Sequence, residues 1–156
     1  MANDRTVRLT AAGKLRLEDE LTMLRTQRRP ALATRIQEST EHGDISDNSE
    51  YEELKDEWQM IEARIWDLEQ TLERAEVIQQ EASHGIVGLG SRVTLRGDDG
   101  EEETWILVSR EEANTLDGTI STQSPVGRVL LGCRVGDSPA VRTPGGPMVY
   151  TIVAVE

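Results

Sequence analysis

Nine acidic side chains and a single lysine lie between Glu38 and Glu57, around the segment EHGDISDNSEYEELK. Clustered carboxylates repel one another, so folding alone gives no reason for them. Asp44 and Asp47 supply hard oxygen ligands three residues apart, which suits Mg²⁺, but two carboxylates make an incomplete octahedral site. We therefore expect weak metal binding by the chain alone. The pair would work best by completing a metal site on another molecule, and two-metal phosphodiester chemistry, in which a metal ion activates the attacking water, is one use for such a site.

The same segment has two simpler interpretations. Asp47, Asn48 and Ser49 are all preferred N-cap residues, and acids three residues after the first and last of them complete possible capping boxes. On this view the acids only begin a helix and suit its dipole. A calcium-binding loop is the other candidate, and it fails because Ser49 and Lys55 stand where the loop needs glycine and glutamate.

Composition narrows the class of protein further. A formal net charge of −12 over 156 residues argues against generic binding to duplex nucleic acid, which requires a basic face. Cys133 is the single cysteine, so the chain forms no internal disulfide and no cysteine-based zinc site. No stretch approaches the length of a membrane span, and the first residues lack an apolar signal core. We expect a cytoplasmic protein that contacts no membrane.

Apolar side chains after the acidic segment recur in alternating steps of three and four, which is the pattern of an a/d heptad seam. The members are Tyr51, Leu54, Trp58, Ile61, Ile65, Leu68, Leu72 and Ala75. This pattern predicts a helix over residues 49–79.

A second, less regular apolar stripe precedes the acidic segment. Its members are Leu17, Leu21, Leu24, Ala31, Leu32 and Ile36. It predicts a helix capped by Thr10 at its start and by Gly43 at its end. Pro30 lies inside this helix and predicts a kink or a local unwinding, because proline lacks a backbone donor. Two such helices with a short connection predict an antiparallel coiled-coil hairpin with its tip at 43–48.

The second half of the chain has a different character. Residues 81–90 are rich in glycine and predict a linker between a hairpin domain, 1–80, and a second domain, 91–156. Short β-type runs at 91–96, 104–109, 118–122 and 148–155 are separated by turn residues, and Pro125 after Ser124 predicts a short helix over 125–131. The fold class is therefore α+β: an N-terminal α-helical hairpin and a small antiparallel β domain with a short helix.

Two long motifs, in order and in spacing, resemble those of the bacterial GreA/GreB transcript cleavage factors, and GreA is the more similar of the two. The first is RRPALATRIQESTEHGDISDNSEYEELK, and the second is ISTQSPVGRVLLGCRVGD followed by TPGG. The resemblance covers essentially the whole chain. It implies that the second domain is FKBP-like in fold and docks at the rim of the RNA polymerase secondary channel, while the hairpin enters that channel.

The same resemblance implies a mechanism. The tip acids would help to hold Mg²⁺ jointly with the polymerase, which then cleaves its own backtracked RNA near the 3′ end. The factor, expected to be a monomer, would be no enzyme by itself. The implied site residues are Asp44 and Asp47 for metal and catalysis, Asn48, Glu50 and Tyr51 for support of the tip, Lys55 for RNA contact, and Ser121, Ser124 and Pro125 for docking on the polymerase.

Departures from the family pattern keep two other functions open. Asp47 stands where the family has a glutamate, and Thr40 where GreA has an arginine of its RNA-contacting patch. A tip acid shortened by about 1 Å could cost roughly a hundredfold in rate where geometry is critical. One alternative is therefore a channel-binding protein that inhibits or modulates the polymerase without strong cleavage. The other is a coiled-coil adaptor whose tip is only capped and solvated.

Overall fold

The computed structural model describes residues 6–41, 49–78 and 85–156. They divide into two compact units, which we call the hairpin unit (within Leu15–Arg74) and the C-terminal unit (6–14 and Ala75–Glu156). These limits differ from the predicted 1–80, 81–90 and 91–156, because short strands at both ends of the hairpin belong to the C-terminal unit. Within the described ranges, no helix is both long and apolar enough to cross a membrane.

The first arm of the hairpin comprises α1 (Ala11–Met23), a π-helical turn (Leu24–Arg28) and α2 (Arg29–Glu41). Thr10 is the N-cap of α1, as predicted, because its Oγ1 accepts the Gly13 N–H at 3.0 Å. The π-helical turn ends two residues before Pro30 and confirms the predicted local unwinding. A wider turn there relieves the clash between the proline ring and the preceding carbonyl groups. The predicted end of the arm at Gly43 lies outside the described residues.

The second arm is α3 (Ser49–Glu73), which ends six residues before the predicted position. After Arg74 the chain forms β2 (Ala75–Val77), which pairs in parallel with β1 (Val7–Leu9). The apolar spacing continues past Glu73, so periodicity alone could not locate the end of the helix. The partner strand lies nearly 70 residues earlier, and its backbone groups replace the helical hydrogen bonds.

The predicted seam forms the core of the hairpin unit. From the two arms it buries Leu17, Leu21, Leu24, Leu32, Leu54, Ile61, Ile65 and Leu68. Ala31 was wrongly assigned to the seam and is exposed, whereas Thr71 is only 4% exposed and was missed. The wider π-helical turn rotates the residues after it relative to a regular α-helix. An apolar stripe predicted with a constant α-helical period therefore includes the exposed Ala31.

Ion pairs join the two arms along their length. Arg29 Nη1 lies 3.2 Å from Glu62 Oε1, Arg64 Nε lies 2.7 Å from Glu20 Oε1, and Arg25 pairs with Glu69. All of these side chains are half-exposed, so each pair contributes only about 0–1 kcal/mol. The burial of the apolar seam therefore contributes more to holding the arms together than these pairs do.

Six further strands belong to the C-terminal unit: β3 (Arg92–Arg96), β4 (Glu102–Val108), β5 (Thr119–Ser121), β6 (Ala140–Thr143), β7 (Gly146–Val149) and β8 (Thr151–Val155). Four of them form a sheet in the order β5-β4-β3-β8, and β6 and β7 form a separate hairpin. The β3–β4 and β3–β8 pairs are antiparallel as predicted, whereas β4 and β5 are parallel. The run predicted over 148–155 is two strands, interrupted at Tyr150, whose N–H donates to the Pro139 carbonyl at 3.1 Å.

The described part of the predicted linker, 85–90, belongs to the C-terminal core. Val87 is 2% exposed and packs in a cluster with Val93, Leu95, Leu107, Ile120, Leu130 and Ile152. The Val87 N–H donates to the Cys133 carbonyl at 2.9 Å, and the Gly90 N–H donates to the Leu107 carbonyl at 2.6 Å. The linker prediction is therefore wrong for these residues, because glycine content does not reveal that backbone groups pair with distant strands.

Cys133 provides a direct test of packing beside α4 (Pro125–Leu130). Its Sγ–H donates to the Val129 carbonyl at 3.2 Å, and the side chain is half-buried. Burial, and then the charge of Asp137, raises the pKa of the thiol. Because the thiolate is the nucleophile, we expect iodoacetamide at mildly alkaline pH to alkylate the native chain more slowly than the urea-unfolded chain.

The raised pKa of the Cys133 thiol also predicts how the stability of the fold depends on pH. The neutral Cys133 thiol contributes to the free energy of unfolding. This contribution is present in full below the pKa of the thiol in the unfolded chain, and it is lost as the pH rises through the higher pKa of the folded chain. Equal alkylation rates in native buffer and in urea would contradict this description of the thiol.

Candidate functional site

The predicted metal-binding residues Asp44 and Asp47, with Asn48, lie outside the described residues. The described part of the first arm ends at Glu41, and the second arm begins at Ser49. In the sequence, seven residues separate the two described helices, and they include the predicted tip acids. The structure does not test their assignment, which stays a prediction.

Exposed carboxylates on both arms flank this connection. Glu38 and Glu41 are exposed near the end of the first arm, and Glu50 and Glu52 are exposed in the first turn of α3. Such a concentration of one charge attracts cations from solution. Among the described residues, however, no group of three acidic, histidine or cysteine side chains is arranged to hold a metal ion. A metal site here would need ligands from the tip and from a partner.

Tyr51 and Lys55 lie one turn apart on α3. The Lys55 Nζ atom sits 5.4 Å from the centroid of the Tyr51 ring, within reach of a cation–π interaction. Tyr51 is half-buried and Lys55 is exposed. The ring orients the ammonium group while leaving it in water, so the predicted RNA-contacting lysine is accessible to a phosphate.

A groove of about 320 Å³ lies beside this lysine, between the two arms. Ile36, Lys55, Trp58 and Gln59 line it. The sequence reasoning assigned Trp58 to the seam and overlooked this groove, because the heptad pattern does not distinguish a fully buried position from a half-buried one. The available sequence signal for this groove was an aromatic side chain, Trp58, one helical turn from Lys55.

Arg28 and Arg29, the arginines of the RRP motif, are used to join the arms. Arg28 Nη2 lies 3.1 Å from Glu57 Oε1, and Arg29 Nη1 lies 3.2 Å from Glu62 Oε1. Arg35 Nη1 approaches the other oxygen of Glu57 at 4.0 Å. These cations are thus engaged with acids of the second arm.

The three predicted docking residues come together at the turn from β5 to α4. The Ser124 Oγ donates to the Ser121 carbonyl at 2.7 Å and accepts the Gly127 N–H at 3.0 Å, so Ser124 is the N-cap of α4. Pro125 follows at the first helical position, where its missing donor is harmless. The Ser121 Oγ accepts the Gln123 N–H at 3.0 Å. The serine hydroxyls therefore define the shape of the loop.

Exposure divides the same loop into two parts. Gln123 and Pro125 are exposed, whereas Ser121 and Ser124 are half-buried. A partner that docks here would meet Gln123 and Pro125 most directly, on a surface that the two serines hold in place. The resemblance places Gln123 in the docking loop but does not count it among the residues implied to dock.

The described residues contain an α-helical hairpin and, in the second unit, a small mixed sheet. Two family models match the chain: "Transcription elongation factor, N-terminal" over residues 7–77, and "Transcription elongation factor, GreA/GreB, C-term" over residues 82–156. The chain belongs to the GreA/GreB family of transcription elongation factors.

Curated relatives agree with this assignment. Transcription elongation factor GreA of Geobacillus kaustophilus is 43% identical, with 100% of each chain covered, and that of Chloroflexus aggregans is 48% identical over 94% of this chain and 95% of the other. Among solved structures, GreA factor homolog 1 of Thermus thermophilus is 41% identical, with a TM-score of 0.47 and coverage of 97% and 99%. A GreA/GreB factor of Nitrosomonas europaea is 26% identical, with a TM-score of 0.43 and coverage of 97% and 98%.

Proposed function

We propose that this transcription elongation factor enters the secondary channel of bacterial RNA polymerase and stimulates the polymerase to cleave backtracked RNA. The observation that carries the proposal is the frame GD-x-x-x-N-x-EY, from Gly43 to Tyr51, between two long helices. A pair of packed helices is narrow enough to enter a channel and long enough to carry its connecting residues deep inside. The factor acts in the cytoplasm as a monomer.

Asp44 and Asp47 would hold Mg²⁺ jointly with polymerase carboxylates. Two carboxylate oxygens fit the hard-ligand preference of this ion but leave its octahedral shell incomplete, so the shared site is expected only in the complex. When bound, Mg²⁺ lowers the pKa of a coordinated water and so supplies the nucleophile for phosphodiester hydrolysis. Asp44 anchors the site, and Asp47 orients the attacking water.

The surrounding residues support this task. Asn48 directly precedes the second helix in the sequence, Glu50 lies in the first turn of that helix, and Tyr51 is half-buried. Lys55, held over the Tyr51 ring, contacts a phosphate of the nascent RNA near its 3′ end. The loop of Ser121, Ser124 and Pro125 docks at the rim of the channel. The factor is an accessory protein, because catalysis requires the polymerase active site.

The proposal is tested with a defined backtracked complex. The cognate polymerase is stalled on a template with labelled RNA that is mismatched at its 3′ end, and RNA shortening is followed with Mg²⁺ after addition of the factor. We expect shortening that is faster than the polymerase's own rate. If the rate of RNA shortening is unchanged and nucleotide addition becomes slower, the factor binds the same channel but inhibits the polymerase. Unchanged cleavage and elongation at saturating factor would contradict channel binding itself.

Replacing Asp47 by glutamate measures the effect of the shortened tip acid. Asp47→Glu restores the longer side chain at the implied water-orienting position, and we expect it to raise the cleavage rate by up to about a hundredfold, because reactive geometry is sensitive to shifts of about 1 Å. The readout is the single-turnover rate of RNA shortening at saturating factor. Asp56→Glu, the same change at an exposed position of α3, is the matched control. A slower Asp47→Glu variant would mean that this tip is adapted to aspartate.

A further inference from the structure

Trp58 is a large aromatic side chain of α3 that the apolar seam does not fully bury. Its neighbours in the seam, Leu54 and Ile61, are only 2% and 6% exposed, whereas Trp58 is half-buried. The side chain lines the groove of about 320 Å³ between the two arms. Part of a large aromatic surface is therefore available to a ligand, within the hairpin unit alone.

The groove combines apolar surface with a cation. Ile36 of the first arm and Trp58 of the second provide apolar surface, and Gln59 and Lys55 provide polar groups. Among the described residues that line the groove, Lys55 carries the only charge, and its Nζ atom sits 5.4 Å from the centroid of the Tyr51 ring. Proteins bind single-stranded nucleic acid with this combination, since a base stacks on the aromatic face and a phosphate meets the cation.

The carboxylate that follows Lys55 and precedes Trp58 most closely has partners on the first arm. Glu57 Oε1 lies 3.1 Å from Arg28 Nη2, and Glu57 Oε2 lies 4.0 Å from Arg35 Nη1. The arginines offset a charge that would otherwise repel a phosphate near Trp58. With a net charge of −12, the chain is still too acidic to bind free RNA tightly. The groove therefore suits a strand that a larger complex holds beside it at high effective concentration.

We propose that Trp58 stacks against a base of the extruded RNA in a backtracked complex, while Lys55 meets a phosphate of the same segment. The inference rests on the proposed function and deepens it, because it adds a stacking contact to the single lysine that the resemblance implies. Every base has a flat face, so stacking depends little on sequence. What decides the contact is whether the extruded strand is long enough to reach Trp58.

The position of Trp58 along α3 sets that length. Nine positions separate it from Ser49, the first residue of the helix, which is about 14 Å along the helix axis. Stacked nucleotides advance by about 3.4 Å each, so about four of them span this distance. An RNA extruded by about two nucleotides ends before Trp58, and one extruded by about six passes it. The factor should therefore bind deeply backtracked complexes more tightly than shallow ones.

The test compares a shallow and a deep backtracked complex, with RNA mismatched over about two or about six terminal nucleotides. The full chain is titrated onto each complex, and the half-saturating concentration for RNA cleavage is measured. We expect Trp58→Leu to raise this concentration by about tenfold in the deep complex and by less than about twofold in the shallow one. Leucine keeps an apolar side chain in the seam but lacks the flat ring, so this variant separates stacking from packing.

Matched controls make the result specific. Trp66→Leu is the same change at a tryptophan of the same helix that is 63% exposed, and it should leave both concentrations at the wild-type value. Trp58→Phe keeps an aromatic ring and should restore most of the affinity for the deep complex. A partly unfolded variant would raise the half-saturating concentration equally in both complexes, so it cannot imitate a defect that depends on RNA length.

A second readout does not require cleavage. The deep RNA carries 4-thiouridine about four nucleotides into its extruded segment. It is irradiated in complex with the Asp44→Asn chain, which is expected to leave the RNA nearly intact, and the crosslinked peptide is identified by mass spectrometry. We expect the crosslink in the tryptic peptide 56–64, which contains Trp58. Its yield should fall when Trp58→Leu is added to the same chain.

The outcomes are distinguishable. A loss of affinity confined to the deep complex, together with the crosslink, supports the inference. Equal changes in the two complexes, or no change in either, overturn it, because Trp58 then only packs the arms or contacts the polymerase. Active cleavage without the crosslink overturns the RNA contact alone. Wild-type chain that stimulates no cleavage, while the crosslink through Trp58 still forms, overturns the proposed cleavage and supports the RNA contact.

Discussion

Replacing Asp44 by asparagine is expected to remove nearly all stimulated cleavage. Asparagine keeps the size of the side chain but lacks the charge that a shared Mg²⁺ site requires, so the ion loses a ligand and the water loses its activation. We expect the maximal rate of RNA shortening to fall by about two to three orders of magnitude, which corresponds to about 3–4 kcal/mol of transition-state stabilisation. The measurement is single-turnover cleavage in a backtracked complex at saturating factor.

A matched control distinguishes the metal role from bulk charge. Asp56→Asn removes one exposed carboxylate from the same acidic region of the second arm. If the acids serve only as a negative surface, Asp44→Asn and Asp56→Asn will have similar small effects. Raising the Mg²⁺ concentration should partly rescue Asp44→Asn, because a weaker site fills at higher ion concentration. Cleavage by Asp44→Asn at the wild-type rate would exclude Asp44 as a ligand.

Replacing Gly127 by alanine is expected to destabilise the C-terminal unit strongly. A Cβ on Gly127 would overlap the Ser121 carbonyl oxygen, lie 2.9 Å from its carbonyl carbon and lie 3.0 Å from the Ser124 Oγ. Two of these atoms are backbone and cannot rotate away, so α4 must shift from the end of β5 and lose its cap. We expect a loss of about 3 kcal/mol in the free energy of unfolding.

Hydrogen exchange provides the measurement for this unit. The amides of Leu107 and Ile152 are hydrogen-bonded in the core, and their exchange should become about a hundredfold faster or more in Gly127→Ala. Gly145→Ala is the control, since its Cβ would approach only the Thr143 Oγ1, at 3.9 Å. Its exchange should stay near the wild-type rate. Equal protection in both variants would mean that the β5–α4 turn tolerates a wider opening than these distances indicate.

The hairpin could be predicted from sequence because its determinants are local. An apolar side chain every three or four residues specifies both a helix and the face that it buries, so Leu54, Ile61, Ile65 and Leu68 were assigned correctly to the seam. Pro30 predicted a disturbance in the first arm for a reason that is also local. The cap at Ser124 and the short helix after it follow from two adjacent residue types.

The acidic tip was identified by composition and by resemblance, and its assignment remains a prediction. Spacing alone left capping and metal binding as alternatives, since the same carboxylates suit both. Membership of the GreA/GreB family is shown for the chain, and it is the basis of the role proposed for this segment. The roles of Asp44 and Asp47 now depend on the cleavage measurements described above.

By itself, the sequence determined the two helices, most of their buried faces and the family. Tertiary structure decided what depends on partners far apart in the chain. Strand β2 replaces the end of a predicted helix because β1 pairs with it, and residues 85–90 join the core because Cys133 and Leu107 accept their amide hydrogens. Glu112 is buried and accepts the Thr10 N–H because folding brings together residues 102 positions apart. Periodicity reports neighbours within about one turn of helix or one step of strand, and these contacts lie outside that range.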